Sequence, residues 1–398
     1  MFTLGTRRTS WEVTIGEGLG DRPVMSFVSI LLLGMAAIGT LFNLAAAALV
    51  RPARAMRPRD QWPSVTVLKP LHGMEPALEE NLETLFAQHY PGPVQIIFGT
   101  SSVADPALGV VQRLTERHPD ANVVRVSNAA LIGANKKLCN LSNMVGELAH
   151  DIVVIADSDV AWAPDTLARV VKALDRPGVG LVSCRHVGRG DAGFWSRVAA
   201  MDIAYRFMPS VILGRAIGLA QPVLGPTMAL RAETLARIGG FPAFVDLLAD
   251  DYEIGRAVRG LGLTTELSNF FIIQGCSEPG LGALASHELR WSLTVYRIDP
   301  IGFVGSLLTH ALPLALLAAV VSGGSATALS ILGLAFLSRL IVKARMDRAT
   351  GFASGPATLL PLRDLLSCAI FVATFFIDKV DWRGSQFRVT RDGKLQLR

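Results

Sequence analysis

Apolar residues are spaced differently along successive stretches of the chain, and each spacing predicts a different kind of element. From Ser26 to Val50 no residue is charged. At about 1.5 Å per residue this stretch crosses a hydrocarbon layer about 30 Å thick, which predicts a membrane-spanning helix over 26–50. It is longer than the apolar part of a secretory signal, about 7–15 residues. Residues 60–300 instead alternate short β-rich runs with helical spacing. Strands are predicted at 64–69, 94–98, 121–126, 152–156 and 179–183. Helices are predicted at 76–89, where Leu78, Leu82, Leu85 and Phe86 share one face, and at 107–117. Strands alternating with helices imply an α/β domain with a mostly parallel, doubly wound sheet. From Pro300 to Ser338 fixed charges vanish again, and Ser322-Gly323-Gly324-Ser325 breaks the run with turn residues. Two spans joined by a tight hairpin are expected, about 301–321 and 326–342. A last apolar segment, Leu365 to Ile377, is too short to cross easily, and extending it back to 359 takes in Arg363 and Asp364.

Charge gives these elements a direction. Arg51, Arg54, Arg57 and Arg59 follow the first span, and Arg339, Lys343, Arg345 and Arg348 lie at or beyond the end of the third apolar stretch. Positive residues stay on the cytoplasmic side, so 60–300 is expected in the cytoplasm of a multi-pass protein of the inner (cell) membrane. The basic tail, 379–398, also favours the cytoplasm, whereas a complete span over 359–377 would place it outside. Residues 1–25 are an uninformative extension. The chain has 398 residues, 51% hydrophobic and 18% charged, with mean hydropathy +0.40. A soluble protein averages about 25% charged, so composition agrees with membrane attachment. The net charge of +5 suits an anionic bilayer surface. No basic run is interleaved with aromatics, which argues against nucleic acid. Cys139, Cys184, Cys276 and Cys368 are widely separated and read as free thiols in a reducing compartment.

The chemistry concentrates where apolar runs end. Ile152–Ala156 reads as a strand buried on both faces, and it stops at Asp157-Ser158-Asp159. Open α/β sheets bind ligands at the carboxyl ends of their strands. A carboxylate pair there suits Mg²⁺ or Mn²⁺, which takes one or two carboxylates and completes its shell with water and phosphate oxygens. The alternative is a turn that caps the helix opened by Pro164-Asp165. Asp250-Asp251 is a second pair, open to being catalytic or to favouring a helix N-terminus. His287 and Arg290 are three residues apart and share a face if this stretch is helical.

These residues resemble the ceramide glucosyltransferase family and its bacterial hopanoid-type relatives. The resemblance runs from the first span to Trp382-Arg383. It is carried by Lys69-Pro70-Leu71-His72-Gly73, Asn81-Leu82-Glu83-Thr84, Tyr90-Pro91, Asp105-Pro106-Ala107 and the Gly133–Asn140 loop with Lys137. Ala156-Asp157-Ser158-Asp159, Pro164-Asp165-Thr166-Leu167, Ala249-Asp250-Asp251-Tyr252 and Arg290-Trp291 complete the set. The closing motif is His287-Glu288-Leu289-Arg290-Trp291, the form of the hopanoid-type relatives, and Asp159 stands where animal ceramide enzymes tend to have Gly.

The resemblance implies a GT-A (nucleotide-diphospho-sugar transferase) domain and an inverting transfer from a UDP-sugar to a membrane lipid acceptor at the bilayer. It places Asp157 and Asp159 on the metal and diphosphate, Asp105 on the uridine and Lys137 on the nucleotide or diphosphate. Arg290, Trp291 and His287 would contact the donor or acceptor. An alcohol needs a base as it attacks, and Asp251 is expected in that role with Asp250 as its rival. A processive polysaccharide synthase and an inactive membrane scaffold are the competing readings.

Overall fold

The computed structural model describes residues 21–53, 55–56 and 61–377, and the backbone of 379–382, 385–389 and 395–397. Arg54, Arg57, Arg59, Arg383, Arg391, Lys394 and Arg398, on which part of the orientation argument rests, lie outside the described residues.

Helix α1 (Asp21–Leu49) precedes strand β1 (Val65–Pro70), then α2 (Leu78–Phe86), β2 (Val94–Thr100), α3 (Ala107–Arg117) and β3 (Asn122–Ser127). Next come α4 (Lys136–Met144), β4 (Ile152–Ala156), β5 (Val160–Ala161), α5 (Thr166–Leu174) and β6 (Val179–Gly190). Helices α6 (Phe194–Asp202) and α7 (Met208–Ala216) are joined by a π-helical turn, Ile203–Phe207. Then follow β7 (Thr227–Arg231), α8 (Ala232–Arg237), α9 (Asp250–Gly260) and β8 (Thr264–Cys276). Eight strands form one sheet in the order β3-β2-β1-β4-β7-β6-β8-β5.

The uninterrupted apolar runs have a direct cause: both faces of the sheet are covered. In β1, Val67 faces α2, α3 and α5 while Leu68 faces α4 and α9. In β4, Ile152 and Val154 take the first side, Val153 and Ile155 the second. Strands β3-β2-β1-β4 are parallel, with Val67 level with Ile96 and Val154. The expected doubly wound half is therefore present. The other half is mixed: β7 runs antiparallel to both β4 and β6, and β5 antiparallel to β8. Strands β7 and β8 had no counterpart among the predicted strands. This reversal turns the loop before β7 back toward the β4 end, where the Asp157 amide donates to the Pro226 carbonyl at 3.0 Å.

The C-terminal part comprises α10 (Leu281–Ile298), α11 (Pro300–Gly305), α12 (Ala311–Val321), α13 (Ala326–Thr350) and α14 (Leu360–Thr374). It ends in an antiparallel sheet of β9 (Lys379–Trp382), β10 (Ser385–Val389) and β11 (Leu395–Leu397). Three described helices are long and apolar enough to cross a membrane: 27–49, 326–350 and 357–374. Helices α1, α12 and α13 pack through small residues, including Ala36, Ala311, Ala315 and Ala335. Gly39 lets α1 lie on the Leu308 carbonyl, where a Cβ would clash. Leu31, Leu41, Val320 and Leu334 point outward, as lipid-facing positions do.

Two expectations change here. The stretch 301–321 is not one straight helix, because 300–309 and 311–321 meet at 65° about His310. The segment over 357–374 reaches spanning length despite Arg363 and Asp364. Both charges are buried and paired. Arg363 makes two bonds to Glu288, 2.7 and 2.6 Å, and Asp364 takes two from Arg339, 2.8 and 2.9 Å. Paired in this way, buried charges are tolerated where single ones are not. Helix α14 lies along α10 from the Glu288–Arg363 pair to the Tyr296–Phe375 contact, and β9 also packs on α10.

Candidate active site

The sheet's carboxyl edge gathers most of the expected residues. Asp157 follows β4 directly, and its Oδ1 meets Lys137 Nζ at 2.5 Å. Lys137 lies in the first turn of α4, whose start is set by Asn135. That residue is fully buried. Its Oδ1 accepts from the Leu138 amide at 3.1 Å, which caps the helix. Its Nδ2 donates to the Leu247 carbonyl at 3.2 Å, and its backbone amide donates to Val245 O at 2.6 Å. Asn135 thus ties the Lys137 turn to the segment that leads into Asp250 and Asp251. Gly133 packs on Val245 so closely that a Cβ there would clash. Burial alone would lower the Lys137 pKa, but Asp157, Asp250 and Asp251 around it raise it.

Asp159 sits deeper. The end of β8 holds it: Gln274 Nε2 donates to Oδ2 at 3.1 Å, and the Gly275 amide donates to its carbonyl at 2.7 Å. Its Oδ1 is buried with no partner. Burial first, then Asp157 and Glu75, push its carboxyl up to about 7. Beneath the pair lies Lys69, fully buried at the end of β1, with Nζ donating to the Val160 carbonyl at 3.2 Å. Burial lowers Lys69 to about 8, against the pull of Asp159, Asp157 and Glu75. Glu75 Oε2 and Asp250 Oδ2 are also buried without partners. Carboxyls thus outnumber the two lysines around this edge. An acidic surplus with an unsatisfied oxygen on Asp159 is the donor set that a hard divalent cation accepts. Among the described residues no three His, Cys, Asp or Glu side chains converge as a metal cage, so phosphate and water oxygens would have to supply the other ligands.

Asp250 and Asp251 open α9. Asp251 Oδ1 accepts from the Tyr252 amide at 2.7 Å, and Gly225, in the loop before β7, lies against its other oxygen. Burial and then the neighbouring Asp250 raise its carboxyl to about 7. Asp250 is raised by burial while Lys137 opposes that shift. The two differ in what they face: Asp250 looks to Lys137 and Asp157, Asp251 to the Gly225 backbone.

His287, Arg290 and Trp291 are all on α10, as the helical reading requires. His287 Nδ1 bonds the buried Glu278 at 2.5 Å, and its ring meets Trp291 edge-on at 4.5 Å. The Arg290 carbonyl accepts from Thr294 at 2.7 Å. Trp291 also packs toward α6 and α14, so this motif joins the sheet edge to the membrane helices. Asp105 occupies the end of the β2 edge, where backbone amides already engage it: Gly73 at 3.0 and 3.1 Å and Ala107 at 2.9 Å. It therefore holds the His72–Gly73 loop and starts α3.

Sequence reasoning gave no role to Lys69, Glu75, Gln274, Glu278 or Asn135. Only Lys69 carried a signal, since a lysine inside an apolar strand run is almost never buried without partners. The others depend on long-range approach.

Comparison with known proteins bears on the fold and the family. The ceramide glucosyltransferase 3 of Caenorhabditis elegans is 21% identical over 344 residues, 84% of this chain and 74% of that protein. The ceramide glucosyltransferase of Komagataella phaffii is 35% identical over 120 residues, 29% of this chain and 23% of that protein. A mannosyltransferase of Pyrobaculum calidifontis, solved with GDP-mannose and Mn²⁺, superposes with a TM-score of 0.52 at 22% identity. That match covers 88% of this chain and 99% of that one, and it shows a shared GT-A-like fold. The profile of glycosyl transferase family 21 matches residues 29–395, which takes in the carboxylate edge, the α10 motif and all but the start of the first apolar helix, and the chain belongs to this family.

Proposed function

We propose that the protein is a membrane-bound inverting glycosyltransferase. It moves a sugar, glucose or N-acetylglucosamine, from a UDP-sugar to the hydroxyl of a membrane lipid of the ceramide or hopanoid type. The observation that carries this reading is the convergence of Lys137, Asp157 and the Asp250–Asp251 pair at one edge of the sheet. A cation for the leaving diphosphate and a carboxyl for the incoming hydroxyl then lie side by side. The ceramide glucosyltransferase relatives support a lipid acceptor, and the nucleotide-sugar and Mn²⁺ in the mannosyltransferase structure support a metal-assisted donor site.

In this mechanism Lys137 holds the diphosphate as a point charge, and Arg290 adds paired hydrogen bonds to its oxygens. His287, oriented by Glu278, and Trp291 cover the sugar. Asp105 keeps the loop beside the nucleoside end of the site in place. Asp157 and Asp159 would hold Mg²⁺ or Mn²⁺, which when bound neutralises the departing diphosphate. Asp251 takes the proton from the lipid hydroxyl as its oxygen attacks the anomeric carbon and the bond to UDP breaks. A carboxyl raised to about 7 is well matched to that step. In this reading Arg51 and the arginines after α1 keep the sheet domain cytoplasmic, and the packing of β9 on α10 supports β9 lying on the same side as the sheet domain.

The test gives purified full-length protein labelled UDP-glucose or UDP-N-acetylglucosamine with a panel of ceramides and hopanoids. Labelled glycolipid that depends on Mg²⁺ or Mn²⁺ is expected. No transfer to any lipid with either metal refutes the reading, and full activity in EDTA refutes the metal role of Asp157 and Asp159.

A further inference from the structure

The acceptor must bring its hydroxyl to Asp250–Asp251 and its hydrocarbon somewhere else, and one apolar strip begins beside that pair. Leu248, two residues before Asp250, packs with Leu293, Tyr296 and Ile377, and with Ala134 from the Lys137 loop. Tyr296 thus shares a cluster with Leu248, two residues before Asp250, and with Ala134, three residues before Lys137. From it an aromatic row runs into the helical part. Tyr296 meets Phe303 and Phe375, each at 5.4 Å. Phe303 stacks on Phe371 at 4.9 Å, and Phe371 meets His310, at the break between α11 and α12, at 5.3 Å. The outer rim of the row is bare: Phe376 is 83% exposed, Ile301 86% and Phe375 41%. Phe376 follows Phe375 and Ile301 lies two residues before Phe303, and Phe303 and Phe375 are 5.6 Å apart, so both exposed side chains flank the row. This group joins the catalytic loop at one end and the membrane helices at the other.

We propose that the strip from Leu248 across Tyr296 to Phe375, Phe376 and Ile301 is the acceptor-chain site. It takes the hydrocarbon part of the lipid whose hydroxyl meets the Asp250–Asp251 pair. The proposal rests on the lipid-transferase reading and names where that substrate lies. General bilayer lipid is the competing occupant, and it fits less well, because bilayer contact alone gives no reason for the row to end at Leu248 and Ala134.

The test uses full-length protein in detergent with Phe376→Gln and Ile301→Gln, substitutions at positions exposed enough to leave folding intact. Transfer is measured to a long-chain lipid acceptor and to a short-chain, water-soluble analogue with the same head group. The KM for the long-chain acceptor is expected to rise about five- to thirty-fold, the size set by removing one large apolar side chain from contact. The KM for the short-chain analogue and for the UDP-sugar is expected to stay unchanged. An unchanged long-chain KM overturns the proposal, as does an equal loss with both acceptors. Variants that alter only partition into phosphatidylcholine vesicles assign the strip to bilayer contact and also overturn it. Wild-type protein that glycosylates no lipid refutes the transferase reading and this site with it, whereas normal wild-type transfer with unaffected variants refutes the site alone.

Discussion

Replacing Asp251 by Asn keeps the side chain's shape and removes its charge and basicity. Burial and the adjacent Asp250 hold this carboxyl at about 7, against 3.8 for an ordinary aspartate. At about 1.4 kcal/mol per pKa unit, ionising it in the fold costs about 4 kcal/mol at most. Partial contact with solvent screens the charge, so about 2 kcal/mol is the working figure. The sign follows from proton binding. The folded state holds this proton more tightly than the unfolded chain does, so its contribution to stability is full below about pH 4 and is lost as pH rises to about 7. At pH 8 the wild type therefore carries the whole cost and Asp251→Asn does not. The variant is expected to unfold a few degrees higher at pH 8 and level with the wild type at pH 4. Its transfer rate should fall by about 10²–10⁴, the usual size of general-base catalysis, with UDP-sugar affinity little changed. The wild-type rate should decline as pH drops through about 7. Asp250→Asn removes one of the groups that raise Asp251, so its acid limb should move to lower pH while turnover persists. Thermal unfolding at both pH values, calorimetric donor binding and a pH–rate profile check all of this. An active Asp251→Asn beside a dead Asp250→Asn assigns the base to Asp250. Loss of donor binding in Asp251→Asn makes it a donor-positioning group instead.

Lys137→Ala should weaken UDP-sugar binding about 10- to 100-fold, because it removes a charge-assisted contact to the diphosphate and leaves Asp157 unopposed; calorimetry measures this without turnover. Arg339→Ala strands Asp364 in the helical core and should cost about 3–5 kcal/mol, whereas Arg339→Met with Asp364→Leu should recover most of it in thermal unfolding in detergent. A cysteine label in the Ser322–Ser325 turn should react only from outside the cell, and a reporter after Arg398 should read cytoplasmic; an outside tail would show that 357–374 crosses the membrane as a full span.

The apolar patterning marked, by itself, the long apolar helices at 27–49 and 326–350 and a twice-covered sheet between the first of them and residue 300. Val67, Leu68 and Ile152–Ile155 alternate between opposite cores, as strands of a sheet covered on both faces do. The placement of Asp157, Lys137 and Asp251 at the ends of elements was legible because each belongs to a short local motif. Local pattern could not show the antiparallel reversal at β7, because strand direction is set by partners far away in sequence. The bend at His310 and the length of the 357–374 helix were hidden for a related reason. Arg363 and Asp364 read as interruptions until Glu288 and Arg339, distant in sequence, neutralise them. The buried Lys69, the Glu278–His287 contact and the Asn135 tie are likewise decided by burial and approach, which exist only once the chain is folded.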